Sequence, residues 1–138
     1  MYNKILLAAD GSQHSIRSAE HAIKLAQMFQ GTIDVVYVVD SQKSKEDVLH
    51  SVDKYEVERE RKGKIKPVKD LLEESGIDYN VHILHGEAGP KIVKFANDEK
   101  FDCVVVGSRG LNKLQDMILG SVSHKVAKRV ECPVLIVK

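Results

Sequence analysis

Val104-Val105-Val106-Gly107-Ser108-Arg109-Gly110 is followed, after nine intervening residues, by Gly120-Ser121-Val122-Ser123. These two stretches hold the residue types best suited to gripping an anion. Glycine lets the backbone approach a ligand with no side chain between them. The first turn of a helix presents unpaired N–H groups carrying partial positive charge, which suits phosphate oxygens. Ser121 and Ser123 add hydroxyl donors. A hydrogen bond to a charged acceptor contributes on the order of 1.5–3 kcal/mol, so three or four such donors support micromolar affinity after the losses of ordering. Each feature has a plainer reading: Gly107 and Gly110 shape a turn, and Gly120-Ser121 starts a helix. Their joint spacing favours the anion site.

Other chemistries lack their residues. Neither Gly107 nor Gly110 begins the GxxxxGK[ST] pattern of a phosphate-binding loop, and the GxGxxG of dinucleotide enzymes is missing. Ser121 and His124 belong to no GxSxG nucleophile elbow and have no assignable orienting acid, so nucleophilic catalysis is discounted. His14, His21, His50, His82, His85 and His124 form no recognisable metal-ligand set. His82 and His85 are close in sequence, but on a strand they point to opposite faces, and surface roles are expected for them. Cys103 and Cys132 belong to no CxxC or Cys/His cluster and read as buried small hydrophobes.

The elements that must position these residues are visible as periodicity. Ile5 to Ala9, Val35 to Val39, Val104 to Val106 and Val134 to Val137 are nearly unbroken apolar runs, as in strands covered on both faces. Between the first two, Ile16, Ala19, Ile23 and Ala26 recur at helical spacing over Ser12 to Phe29, with Gly31 placed to end the helix. Leu119, Val122, Val126 and Val130 line one face of a last helix that Cys132-Pro133 stops. Tyr79 to Leu84 alternates apolar and polar residues and is placed at a sheet edge, and a helix is expected from about Pro90 to Asp98. Ser41 to Lys66 is the least regular stretch. Within it Lys54 to Lys62 reads as a solvated helix face, Gly63 and the nearby Pro67 mark a break or kink, and a mobile flap is expected. Five strands alternating with four helical segments make a single-domain, doubly wound parallel α/β sheet.

Composition narrows the partners. The 138 residues suit one domain with a real core, and no internal repeat, linker or heptad pattern divides them. With 21 Lys plus Arg against 20 Asp plus Glu, nothing draws the chain globally to nucleic acid or an anionic membrane, and neither partner is expected. Met1 leads directly into Lys4 to Asp10 with no basic region and long apolar stretch, and no later run approaches a membrane span, so a cytoplasmic protein is expected.

Gly107, Gly110, Gly120 and Ser121 reproduce G-x2-G-x9-G-[ST], and the chain thereby resembles the ATP-binding members of the universal stress protein family. The resemblance runs from the Asp10 strand end to the final strand. It implies an adenine nucleotide alpha hydrolase-like, flavodoxin-like three-layer fold with strand order 3-2-1-4-5. It also implies a layout in which Asp10 hydrogen-bonds the ribose, Ala8 and Ala9 contact base or sugar, and Val38 lies by the adenine. Val106, Gly107, Arg109 and Gly110 would border the nucleotide, and Gly120, Ser121, Val122 and Ser123 would receive its phosphates. The placement agrees with the rule that open α/β sheets bind ligands beyond the strand ends where the winding reverses. Asp10 before Gly11 and Ser12 also reads simply as a cap for the following helix.

Val134-Leu135-Ile136-Val137 would then be an edge strand without protective charge, and two copies are expected to join there in antiparallel, isologous fashion, as family dimers do. The leading expectation is an ATP-binding stress sensor, with Mg2+ on the phosphates. Bound nucleotide would order Leu111 to Leu119 and the charged segment near Tyr55, and so alter a surface for a protein partner. A slow Mg-dependent ATPase and a nucleotide-independent interaction module are the alternatives. No clear water-activating base is present for the first, and the complete glycine pattern argues against the second.

Overall fold

The computed structural model describes residues 1–39, 54–108 and 120–138, with the side chains of 54–57 left aside. Strand β1 (Lys4–Ala9) leads to helix α1 (Gln13–Phe29) and strand β2 (Thr32–Val39). Helix α2 (Lys54–Ser75), strand β3 (Tyr79–His85), helix α3 (Ala88–Asp98) and strand β4 (Cys103–Gly107) follow. Helix α4 (Ser121–Arg129) and strand β5 (Val134–Val137) complete the described elements. The five strands are parallel and ordered β3-β2-β1-β4-β5, as the resemblance implies.

Two apolar layers sandwich the sheet. On one face Ile5, Leu7, Ile33, Val35 and Val105 meet Ala19, Ala22 and Ala26 of α1 and Val68 and Leu72 of α2. On the other, Leu6, Val36, Val104 and Val106 meet Ile92 and Ala96 of α3 and Val126 of α4. Burial on both faces is why these strands are almost wholly apolar. β3 lies at an edge as expected, but the expected single covered face breaks down, since Asn80, Ile83 and His85 are exposed while His82 is half-buried. Cys103 is buried and Cys132 half-buried; burial pushes the Cys103 thiol up to about 11, with the nearby Cys132 adding to it, and burial also raises Cys132. Both are held as neutral thiols, in line with the small-hydrophobe reading.

Three local expectations need correction. α2 runs unbroken through Gly63 and Pro67, because buried Ile65, Val68 and Leu72 pin it to the sheet and their burial outweighs the weak propensity of the breakers. Over residues 54–66 the expected flap is part of this helix, and its remainder, residues 41–53, lies outside the described residues. Gly31 does not itself end α1: Gln30, at φ 55°, caps the helix, and Gly31 sits where a Cβ would lie 2.5 Å from the Tyr2 carbonyl oxygen. Glycine is required there by close backbone approach. The last helix begins at Ser121, leaving Leu119 outside the described residues, and it ends at Arg129, where Val130 turns extended before Cys132-Pro133. Pro90 lies in the first turn of α3, where its missing N–H costs no helix bond.

Among the described residues no helix is long and apolar enough to cross a membrane.

Candidate functional site

The C-terminal ends of β1 and β4 are neighbours, with Leu7 level with Val105, while β2 lies on the far side of β1 and β5 on the far side of β4. The winding therefore reverses between β1 and β4, the kind of place at which open α/β sheets leave a crevice for a ligand. Asp10 follows β1 and Gly107 closes β4 at this point.

Asp10 follows β1 and is half-buried. Its Oδ1 accepts hydrogen bonds from the Ser12 N–H (2.9 Å), the Ser12 hydroxyl (2.5 Å) and the Ser15 hydroxyl (2.7 Å), while its own N–H donates to Ser15 Oγ (2.9 Å). Asp10 thus fastens the strand to the start of α1, but it does not cap the helix: Ser12 is the N-cap residue and no side chain bonds a first-turn N–H, Asp10 reaching only the Ser12 N–H and the two hydroxyls. All three donors converge on Oδ1, so Oδ2 lies outside this local set. Gly11 has φ +83°, which a side chain rarely tolerates, and a Cβ there would lie 2.9 Å from Cβ of Lys64. Sequence reasoning missed that contact with α2, as it did the role of buried Ser15.

On the other wall, β4 ends in buried Val106 and half-buried Gly107. Ser108 donates its N–H to Val137 O (2.8 Å) and accepts at its carbonyl from the Gly120 N–H (2.9 Å), which seats the start of α4 against the end of β4. The Ser123 hydroxyl, buried, donates to Gly120 O (2.9 Å) and reaches toward Ser108 O (3.5 Å). The sequence placed Ser123 Oγ among the anion donors; in the fold its hydrogen is directed to backbone carbonyls. The exposed Ser121 hydroxyl has no such commitment among the described residues. The His124 N–H bonds Gly120 O, and helical geometry leaves the N–H groups of Ser121, Val122 and Ser123 without intrahelical acceptors. A Cβ on Gly120 would stand 3.3 Å from Ser108 O, so glycine lets helix and strand end approach closely. Ser108, present in the motif but given no role, is the anchor of this wall.

Ala8, Val38 and Val122 all pack against the cluster that contains Val106, so four of the expected residues share one face of the sheet. Ala9 belongs to the opposite cluster with α1, which leaves its backbone as the part available to a ligand beside Asp10. Arg109 and Gly110 lie outside the described residues.

His82 is not a plain surface residue: its Nε2 lies 3.0 Å from Oδ1 of buried Asp34, and its ring lies 4.9 Å from that of Phe95. Asp34 and His82 are diagonal neighbours on paired β2 and β3, where Asp34 is level with Asn80 and His82 with Val36, on the side covered by α3 and away from the crevice. Among the described residues no group of three or more His, Cys, Asp or Glu is arranged to hold a metal ion.

Arranged this way, the site can accept an anion at the α4 terminus and a hydroxyl-bearing group at Asp10, beyond the ends of neighbouring strands.

The profile of the Universal stress protein family matches residues 1–138. Universal stress protein MJ0531 of Methanocaldococcus jannaschii is 36% identical over 143 residues, covering 100% of this chain and 83% of that protein. Universal stress protein YxiE of Bacillus subtilis is 34% identical over 148 residues and is covered in full. The solved structure of MJ0577 from M. jannaschii superimposes with a TM-score of 0.84 at 32% identity, covering 100% of this chain and 96% of that one. Two further structures share the fold at 22% identity: a universal stress protein in complex with cAMP, at a TM-score of 0.72, and one from Archaeoglobus fulgidus in complex with dAMP, at 0.75. Each covers 99% of this chain, which in turn covers 97% and 98% of theirs. With its full length matched and the sheet order shared, the chain belongs to the Universal stress protein family.

Proposed function

We propose that this protein binds ATP, with Mg2+ on the phosphates, between the ends of β1 and β4, and that it works as a nucleotide-dependent regulator of a stress response in the cytoplasm. The observation that carries the reading is the seating of Gly120 on the Ser108 carbonyl, which holds three helix-terminal N–H groups at the reversal of the sheet beside Asp10. In this reading Oδ2 of Asp10 takes the ribose, the backbone of Ala8 and Ala9 meets base or sugar, and Val38 and Val106 border the adenine. Gly107, Arg109 and Gly110 line the path to the phosphates, which rest against Gly120, on the N–H groups of Ser121, Val122 and Ser123 and on the Ser121 hydroxyl, the Gly120 N–H being held by Ser108 O. The cAMP and dAMP held by the two structures of like fold support an adenine nucleotide as the ligand class. Two copies pair through Val134, Leu135, Ile136 and Val137, and nucleotide state alters the surface offered to a protein partner.

Calorimetric titration of nucleotide-stripped protein with ATP and Mg2+, against GTP as control and with released phosphate assayed on the same samples, tests this directly. Selective ATP binding without turnover is expected. Turnover would make the protein a slow ATPase, and absence of binding would leave an interaction module that works without nucleotide.

A further inference from the structure

α2 joins parallel neighbours β2 and β3, so it must run back across the sheet, beginning at the C-terminal edge where the crevice lies. Its inward positions record that path. Leu72 and Val68 pack with Ile33 and Val35, Ile65 packs with Tyr37 and Val39 near the end of β2, and one step further on the helix carries Lys64, half-buried. The apolar stripe therefore gives way to a cation where the helix passes the sheet edge.

The stem of Lys64 lies flat on the turn after β1. A Cβ placed on Gly11 would be 2.9, 3.2 and 3.3 Å from Cβ, Cγ and Cδ of Lys64, so only glycine leaves room for it. Its ammonium, two bonds beyond that Cδ, has no hydrogen bond or ion pair among the described residues, and Asp10 one residue away directs Oδ1 to Ser12 and Ser15 instead. A half-buried lysine loses rotamer freedom and hydration, a cost ordinarily offset by a counter-charge. Lys91 lies on Gly86, in the turn after β3, and Lys125 on Gly89, in the first turn of α3, and so they raise the positive field of the same edge without touching the β1 turn.

We propose that Lys64 is a ligand-binding residue that pairs with a phosphate of the bound nucleotide, and so makes the site select phosphorylated adenosine over the nucleoside. This rests on the nucleotide reading above and adds to it a contact from α2.

The test titrates adenosine, AMP and ATP into the wild-type protein and into Lys64→Met, Lys64→Gln, Lys64→Arg and Lys91→Gln, at low and high NaCl, with thermal unfolding to verify the fold. Methionine keeps most of the apolar stem and removes the charge; arginine restores the charge. Loss of a charge-assisted contact is expected to weaken AMP and ATP by about tenfold or more in Lys64→Met and Lys64→Gln and to flatten the salt dependence. Adenosine affinity is expected to stay within about twofold, Lys64→Arg to recover most of the loss, and Lys91→Gln to change little. Equal weakening by Lys91→Gln would reduce Lys64 to one part of a general field, and unchanged nucleotide affinity in a folded Lys64→Met would remove it from the site; either overturns the proposal alone. A wild-type protein that binds none of the three ligands would overturn the nucleotide reading and this contact together.

Discussion

At Gly120 a single hydrogen stands where a Cβ would press on the Ser108 carbonyl at 3.3 Å and only touch the Ser123 hydroxyl at 3.6 Å. Its φ of −58° is open to any residue, so the requirement is space rather than backbone conformation. Gly120→Val is expected to weaken ATP binding by at least tenfold, because its methyl groups stand where phosphate approaches the first turn of α4, and to leave the fold largely intact. Calorimetry paired with thermal unfolding checks this, and unchanged affinity in a folded variant would remove the site. Cys103 gives a prediction about stability. Its thiol is pushed up to about 11 from an ordinary 9.0, first by burial. The unfolded chain therefore loses this proton at lower pH than the native state does. The stabilisation is whole below pH 9 and is lost as pH climbs toward 11. Urea titrations across that window should show a shallower decline for Cys103→Ala than for wild type, with Cys132 and Tyr79, also raised, retaining part of the slope.

The element that most exceeds its local sequence is α2. Gly63 is an exposed interior position with nothing within 4 Å of the place a Cβ would occupy, and it carries no positive φ. Gly63→Ala should therefore stabilise the protein by about 0.5–1 kcal/mol, the helix-propensity difference, with no new contact. Denaturant unfolding measures it; destabilisation would mean that the helix needs a bend at this residue. The same helix shows why tertiary contacts rank above propensity: Ile65, Val68 and Leu72 are each about 2% exposed or less, and burying one such side chain contributes about 1.5–3 kcal/mol. Three of them exceed what one glycine costs, and they offset a helical proline as well.

For the whole molecule, the strand order leaves β3 and β5 as edges. β5 offers Leu135, 38% exposed, between half-buried Val134 and Ile136, with no charge inside the strand to discourage pairing. Association of two copies through this edge predicts that Leu135→Lys shifts a dimer toward monomer in sedimentation at about ten micromolar, with the secondary structure retained. A wild type that is monomeric at that concentration would exclude the β5 interface.

The order and type of the elements were legible in the chain itself, since a strand buried on both faces must be apolar throughout and a helix on a sheet must repeat its apolar residues near every third or fourth place. Ile5 to Ala9 and Ile16 to Ala26 show those two rules directly. The glycine spacing from Gly107 to Gly120 likewise marked the β4 and α4 wall of the site, because glycine is demanded locally wherever backbone must approach closely. What the tertiary structure alone decided were the contacts between distant segments: Lys64 on Gly11, His82 on Asp34, Gly31 beneath the Tyr2 carbonyl, and Ser123 turned to the Ser108 backbone. Each depends on which strands adjoin and which way a connecting helix returns. Local periodicity carries no record of either, because it reports only which face of an element is buried, not what buries it.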